Sequence, residues 1–327
     1  GLRQKTDPMR SFISIALNAF LELVRQPIYL ILLLSSVSFM MVLSNIYYFG
    51  LGEDSKLVED SVLATLFLSG IFGAVIGATA SVAEEIRSGT ALSVLSKPIG
   101  RVKFLTAKYL GLVAAISLHT YICGLAVLLA SRMGFDTYGS PDYLALGIFM
   151  GAVGLACLYG LVANFFMGRP FVGQTVLALL LTTSIAFIAI NFVDKEGHSQ
   201  TFGRLVDWRL IPATTLILSA LWVLAAIALA CTTRFELIPT LLICSGVFLL
   251  GLMSDYLFGR VAAEGVWWAK IVYAVLPNWQ LFWMADALAE AKSIPWSYVA
   301  KVGQYVASRL ILSLGLALLM FEDRELS

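Results

Sequence analysis

Long apolar runs separated by short polar stretches dominate the chain. Crossing the apolar core of a bilayer takes about 20 residues of helix. Runs of about that length predict membrane-spanning helices at 28–49, 61–83, 104–130, 142–167, 171–193, 211–232, 236–258 and 298–320. The pattern therefore predicts an all-α fold, a polytopic membrane helical bundle of about eight transmembrane helices in a single transmembrane domain, 1–327.

Residues 10–25 have a different, amphipathic pattern. Polar residues recur every three or four positions and form one stripe: Ser11, Ser14, Asn18, Glu22 and Arg25. Apolar residues cover the remaining surface, and Pro27 then redirects the chain. A helix of this kind lies in the membrane interface instead of crossing it. We therefore predict an N-terminal interfacial helix over 10–25.

The segment 259–297 is rich in aromatic residues and holds Trp267, Trp268, Trp279, Trp283 and Trp296. Tryptophan favours the headgroup level of a bilayer, where its ring is shielded and its N–H stays wet. Pro277 and Asn278 break the segment into two short apolar pieces. We predict outer-side re-entrant half-helices here, with an amphipathic loop that only caps the bundle as the alternative.

Composition agrees with a membrane protein. Hydrophobic residues make up 59% of the 327 positions, charged residues 13%, and the mean hydropathy is +0.87. Soluble domains carry about 25% charged residues. The net charge of +1 gives no indication of a nucleic-acid partner.

The distribution of basic residues predicts the topology. Basic residues concentrate before the first predicted span and in the 84–103 loop, whereas the short loops 50–60 and 131–141 hold only Lys56 and Arg132. Lysine and arginine are enriched in cytoplasmic loops. We therefore expect both termini to be cytosolic, although the two later outer segments follow the rule less cleanly.

The 84–103 loop is the most polar connection between two long apolar runs. Gly89 interrupts the preceding helix and Pro98 ends the next one, because proline lacks the N–H that a helix needs. Between them, residues 90–96 can form a short helix with Leu92 and Leu95 on its apolar face. A short helix with charged flanks is suited to docking a soluble partner; an ordinary positive cytosolic loop is the alternative.

Two motifs in this loop carry a family resemblance. Residues 84–90 read E-E-x-x-x-G-T, residues 95–101 read L-S-x-P-I-x-R, and Lys108 follows. The chain resembles permease subunits of ABC transporters, in the second ABC exporter permease family (type V exporter fold). The family commonly has six spans, so the predicted pair within 142–193 is a departure from it, inserted after the third span.

The resemblance implies a function and site residues. The loop would hold the coupling helix that contacts a separate cytosolic ATPase subunit, through Glu84, Glu85, Arg87, Gly89, Thr90, Leu92, Leu95, Ser96, Pro98 and Arg101. Residues 10–25 would be the family's elbow helix. The outer gate would contain Pro277, Asn278, Trp279 and Phe282. Such a subunit works as a dimer with an identical or similar permease, in the bacterial cytoplasmic (inner) membrane, and exports or flips a substrate that the sequence does not reveal.

Residues for enzyme chemistry are hard to find. There is no G-x-x-x-x-G-K-[ST] motif, so ATP and Mg would bind to the partner subunit and no cofactor to this chain. No histidine or cysteine spacing predicts a metal site, and His119 is the intramembrane polar residue of interest, expected to be neutral and bonded to a helix neighbour. An ion-driven secondary transporter or channel, and a non-transporting membrane anchor or mechanotransmitter, remain alternatives.

Overall fold

The described part of the chain is built from helices. A computed structural model describes residues 8–46, 54–83, 100–134, 142–284, 288 and 293–325. The helices are α1 (Pro8–Val24), α2 (Pro27–Leu43), α3 (Asp54–Ala78), α4 (Arg101–Gly134), α5 (Tyr143–Met167), α6 (Phe171–Asn191), α7 (Leu210–Thr232), α8 (Leu237–Leu252), α9 (Arg260–Ala263), α10 (Trp267–Val275) and α11 (Trp296–Glu325). Within these ranges one isolated β-bridge joins Val193 to Ser199.

Six of these helices, α3 to α7 and α11, are each long and apolar enough to cross a membrane. Two further pairs pass the same test only together: α1 with α2, bent by 62°, and α8 with the segment ending at α9, bent by 61°. Among the described residues, the number of helices or helix pairs able to span a membrane is therefore six to eight, and the predicted eight is at the upper end. The chain has the helices expected of a multi-pass membrane protein.

Charged residues shift some helix boundaries away from the predicted ones. α3 begins at Asp54 instead of 61, because charged residues such as Lys56 end the apolar run without ending the helix. α4 begins at Arg101, so the last residues of the predicted 84–103 loop belong to its first turn. The predicted pair 142–167 and 171–193 agrees closely with α5 and α6, which are joined at Gly168 in the left-handed conformation (φ 62°).

α1 and α4 run in the same direction in close contact. Ser11 lies against Lys103 at one end and Ala19 against Gly111 further along. A Cβ atom on residue 111 would lie 2.6 Å from the Ala19 Cβ and 2.7 Å from the Ala16 carbonyl oxygen. Only glycine fits such a close approach, so Gly111 fixes the position of the amphipathic helix.

Three glycines of α3 are used for packing within the chain. The position of a Cβ on Gly70 is occupied by Leu221 of α7, and that on Gly77 by Leu112 of α4, while Gly73 lies near Leu32 of α2. Small residues let membrane helices approach closely. α3 is thereby embedded among α2, α4 and α7, and most of α7 is itself buried.

A buried ion pair closes the end of α4. Arg132 and Asp142 are 1% and 0% exposed, and the Arg132 Nε donates to Asp142 Oδ2 over 2.7 Å. Arg132 also donates to the Ile190 carbonyl at 2.5 Å, and Asp142 caps α5 by accepting from the Ala145 N–H at 2.9 Å. One guanidinium thus connects the end of α4, the start of α5 and the end of α6.

Candidate functional site

The predicted coupling residues and gate residues differ in what the structure describes. Residues 84–99, which hold all the predicted coupling residues except Arg101, lie outside the described residues. Arg101 is exposed at the start of α4. The four predicted gate residues are all described, and they lie between α10 and α11.

Asn278 connects three parts of the segment 255–284, which we call the outer segment after the side of the membrane predicted for it. Its backbone N–H donates to the Tyr305 hydroxyl of α11 at 2.8 Å. Its side-chain amide donates to Asp255 Oδ1 at 2.9 Å, and its side-chain oxygen accepts from the Gln280 N–H at 3.0 Å, which caps a short 3₁₀ turn, Trp279–Leu281. Pro277 stops α10 just before this point. Asn278 therefore fixes the point where the helix is interrupted to the elements before and after it.

Asp255 is the acceptor that unites the segment. Its Oδ1 accepts from the Tyr273 hydroxyl at 2.7 Å as well as from Asn278. The hydrogen bond to this carboxylate raises the pKa of Tyr273 above its ordinary value, because the tyrosine proton is held by a negative charge. The carboxylate joins the turn that follows α8 to α10 and to the 3₁₀ turn.

Trp279 and Phe282 anchor the same segment from the apolar side. They are 0% and 1% exposed. The Trp279 indole N–H donates to the Val247 carbonyl at 3.2 Å, and a Cβ on Gly251 would lie 2.4 Å from that nitrogen. Gly251 thus admits the tryptophan onto α8, and Phe282 packs near Tyr305, with 6.2 Å between ring centroids.

Arg309 is a member of this site that the sequence analysis overlooked. It lies in the middle of α11, the last of the helices able to span a membrane. Its Nη1 donates to the carbonyls of Ala274 and Val275 at the end of α10, and its guanidinium lies 4.6 Å from the Tyr305 ring centroid. A basic residue at the centre of an apolar run was the available signal.

Together these contacts form a polar brace, which we define as Asp255, Tyr273, Asn278, Tyr305 and Arg309. It ties the short helices after α8 to the middle of α11. Hydrogen bonds to charged groups are stronger than neutral ones, so the brace holds an interrupted stretch of chain in one arrangement.

The other end of the molecule has contacts between α1 and α4. Lys108, only 3% exposed, lies 3.4 Å from Glu22 Oε2, and the Lys103 amine donates to Ser11 Oγ at 2.9 Å. The family motif ended with Lys108, and the structure pairs this lysine with the polar stripe of the amphipathic helix. The stripe thus faces α4 in part.

His119 is buried between α3 and α4. Its Nε2 lies 3.0 Å from the Ser69 hydroxyl of α3 and 3.6 Å from the Cys123 sulfur one turn along its own helix. This histidine therefore has one partner on a different helix, Ser69, and one on its own helix, Cys123. In the described part of the chain, no three histidine, cysteine, aspartate or glutamate side chains come together as metal ligands.

No family model, curated protein or solved structure matches this chain. The class of the protein therefore rests on the fold and the brace: it is a helical, multi-pass membrane protein with an interrupted segment before its last long helix.

Proposed function

We propose that the chain is the permease subunit of an ATP-driven ABC exporter, which couples ATP hydrolysis on a separate cytosolic subunit to the efflux or flipping of a substrate. The proposal rests on the motifs of residues 84–101 and on the order of the elements around them. An amphipathic helix precedes the first long helices, and an interrupted aromatic segment precedes the last one. The permeases that the chain resembles have the same order.

One structural observation supports the proposed coupling. Residues 84–99 connect α3 to α4, two long helices that pack on each other. Their contacts include the hydrogen bond between Ser69 and His119 and the packing of Leu112 against Gly77. A force applied to residues 84–99 would therefore reach both helices at once. α1, which Gly111 holds against α4, would move with them.

The outer segment would act as the gate of such a permease. Its short helices are interrupted at Pro277 and held by Asn278 and Asp255, so a shift of α11 would act on them through Tyr305 and Arg309. A second permease subunit, identical or similar, would complete the route. Both termini and residues 84–99 would then lie on the cytosolic side of a bacterial inner membrane.

The test is co-purification from native membranes in mild detergent, followed by mass spectrometry. We expect a cytosolic ATPase to accompany the wild-type chain and to be lost from Leu92→Asp, because a charge on the apolar face of the predicted coupling helix disfavours docking. The same substitution in the opposite predicted loop, Leu51→Asp, is the matched control and should keep the ATPase.

Each result has a consequence. Loss from both variants would indicate general damage to the protein and contradict the assignment of Leu92. An intact, monodisperse chain without any ATPase would contradict the proposal and favour an ion-driven transporter or a recruiting role.

A further inference from the structure

A groove lies between the end of α1 and the start of α6. We call it the α1–α6 groove; its apolar walls are formed by Phe20, Leu21, Val24, Leu118, Leu177 and Leu180. Its volume is about 330 Å³. Among the described residues, the polar side chains that line it are those of Arg25 and Gln174. The groove is thus an apolar space to which two residues contribute polar groups.

The surroundings of the groove determine what can fill it. α4 and α6, which form two of its walls, are helices able to span a membrane, and Leu177 on its rim is 52% exposed. Water in such a space would lack hydrogen-bond partners, because it needs two to four polar contacts. An acyl chain of the surrounding bilayer meets no such penalty.

Arg25 supplies a positive charge at the groove. Its Cγ would lie 3.2 Å from a Cβ on residue 173, so Gly173 lets the stem of the arginine lie directly on α6. The nearby carboxylate of Glu22 is engaged by Lys108. Among the residues that the structure describes, Arg25 has no ion pair, and its side chain is exposed.

Two neighbouring helix starts indicate that Arg25 lies at the edge of the apolar layer. α2 begins two residues after it, at Pro27, and α6 begins at Phe171, two residues before the glycine that it covers. Two apolar helices therefore start beside the same guanidinium. The edge of the apolar layer is the level of the lipid headgroups, and arginine binds phosphate by paired hydrogen bonds.

We propose that the α1–α6 groove binds an anionic phospholipid, with one acyl chain along its apolar walls and the headgroup phosphate on Arg25. The proposal needs neither an ATPase partner nor a transport cycle. It assigns a ligand to the place where the amphipathic helix meets the predicted additional pair of helices.

The test measures which lipids stay bound to the purified full chain. The protein is equilibrated in mixed micelles with equal amounts of phosphatidylglycerol and phosphatidylcholine, and bound lipid is read by native mass spectrometry. We expect the wild type to retain phosphatidylglycerol preferentially. Arg25→Gln should reduce that preference about fivefold, the usual weight of one basic residue near a membrane surface. Arg204→Gln, which removes an exposed charge in the 192–209 loop, is the control.

A second pair of variants tests the groove itself. Gly173→Leu should fill the space and lower the retention of both lipids, whereas Gly154→Leu, on an open face of α5, should leave retention unchanged. If Gly173→Leu fails to fold, Leu177→Trp on the exposed rim is used in its place. Equal retention of the two lipids by the wild type, or an unchanged preference in Arg25→Gln, would overturn the headgroup assignment. Undiminished retention in the groove variants would overturn the acyl-chain site.

Discussion

At the scale of single residues, Asn278 connects several parts of the outer segment. It uses its backbone N–H, its amide and its side-chain oxygen on three different partners. Pro277, directly before it, has no N–H to donate. The interruption of the helix there leaves few backbone hydrogen bonds to hold the segment. The stability of this region therefore depends on side chains.

We predict that Asn278→Ala destabilises the outer segment by about 1–2 kcal/mol, the usual net value of one or two such hydrogen bonds. Hydrogen–deuterium exchange over residues 255–284 should become faster, while exchange in α4 stays unchanged. Asn18→Ala is the control, because Asn18 is exposed on α1. Equal exchange in the wild type and Asn278→Ala would show that the brace contributes nothing.

The buried pair of Arg132 and Asp142 should be more costly to break. Asp142→Ala leaves a buried guanidinium without its counter-charge, which costs about 3–5 kcal/mol. The free energy of unfolding in mixed detergent micelles measures the loss. Glu196→Ala removes a carboxylate that is 80% exposed and should change stability little.

A second substitution at the same site checks the reason for this cost. Arg132→Met combined with Asp142→Leu should recover part of the lost stability, because an apolar pair leaves no charge unpaired. A double variant that is less stable than Asp142→Ala would contradict this account.

Sequence reasoning found some of these residues and missed others for physical reasons. Pro277 and Asn278 were visible because a proline beside an asparagine interrupts an apolar run. Their partners were not visible in the sequence, since Asp255 lies more than 20 residues before Asn278 and Tyr305 more than 20 residues after it. Arg309 could have been found, because a charge inside a predicted span needs a partner.

At the scale of elements, the close approach of α1 and α4 is the feature that most depends on one position. We predict that Gly111→Ala lowers the free energy of unfolding by about 1–3 kcal/mol, the cost of overpacking a tight contact. The added methyl would meet Ala19 and the backbone of α1.

Gly124→Ala is the matched control in the same helix, where a Cβ meets nothing within 4 Å. It should be neutral or slightly stabilising, since alanine favours helix more than glycine does. Similar losses in both variants would mean that the loss does not come from the contact with α1, and an unchanged stability in Gly111→Ala would mean that α1 adapts freely. Chemical unfolding in detergent distinguishes the two outcomes.

The helices themselves were more predictable than their contacts. α5 and α6 were predicted closely because Gly168 and Pro170 separate two uniformly apolar runs. α3 was predicted too short, since charge in its first turns ends the apolar pattern but not the helix. The pairs of helices that pack on each other could not be predicted, because each predicted span has apolar residues on all of its faces.

At the scale of the whole molecule, the distribution of loops between the two membrane faces is testable. We expect Glu196→Cys, in a chain without its four native cysteines, to react in intact cells with a maleimide that does not cross membranes. Arg169→Cys, in the turn between α5 and α6, should react only after the membrane is opened. The two positions flank the same helix, so each serves as the other's control. Reaction of both from outside would contradict the topology that the export proposal requires.

The ion pair at the end of α4 also bears on how the protein is made. Arg132 donates to the carbonyl of Ile190, which is synthesised 58 residues later. At about 5–20 residues per second, the ribosome needs several seconds to supply this acceptor. During that interval α4 has already been synthesised, but Arg132 lacks this acceptor. Completion of α6 therefore marks the earliest moment in biosynthesis at which this end of the bundle can close.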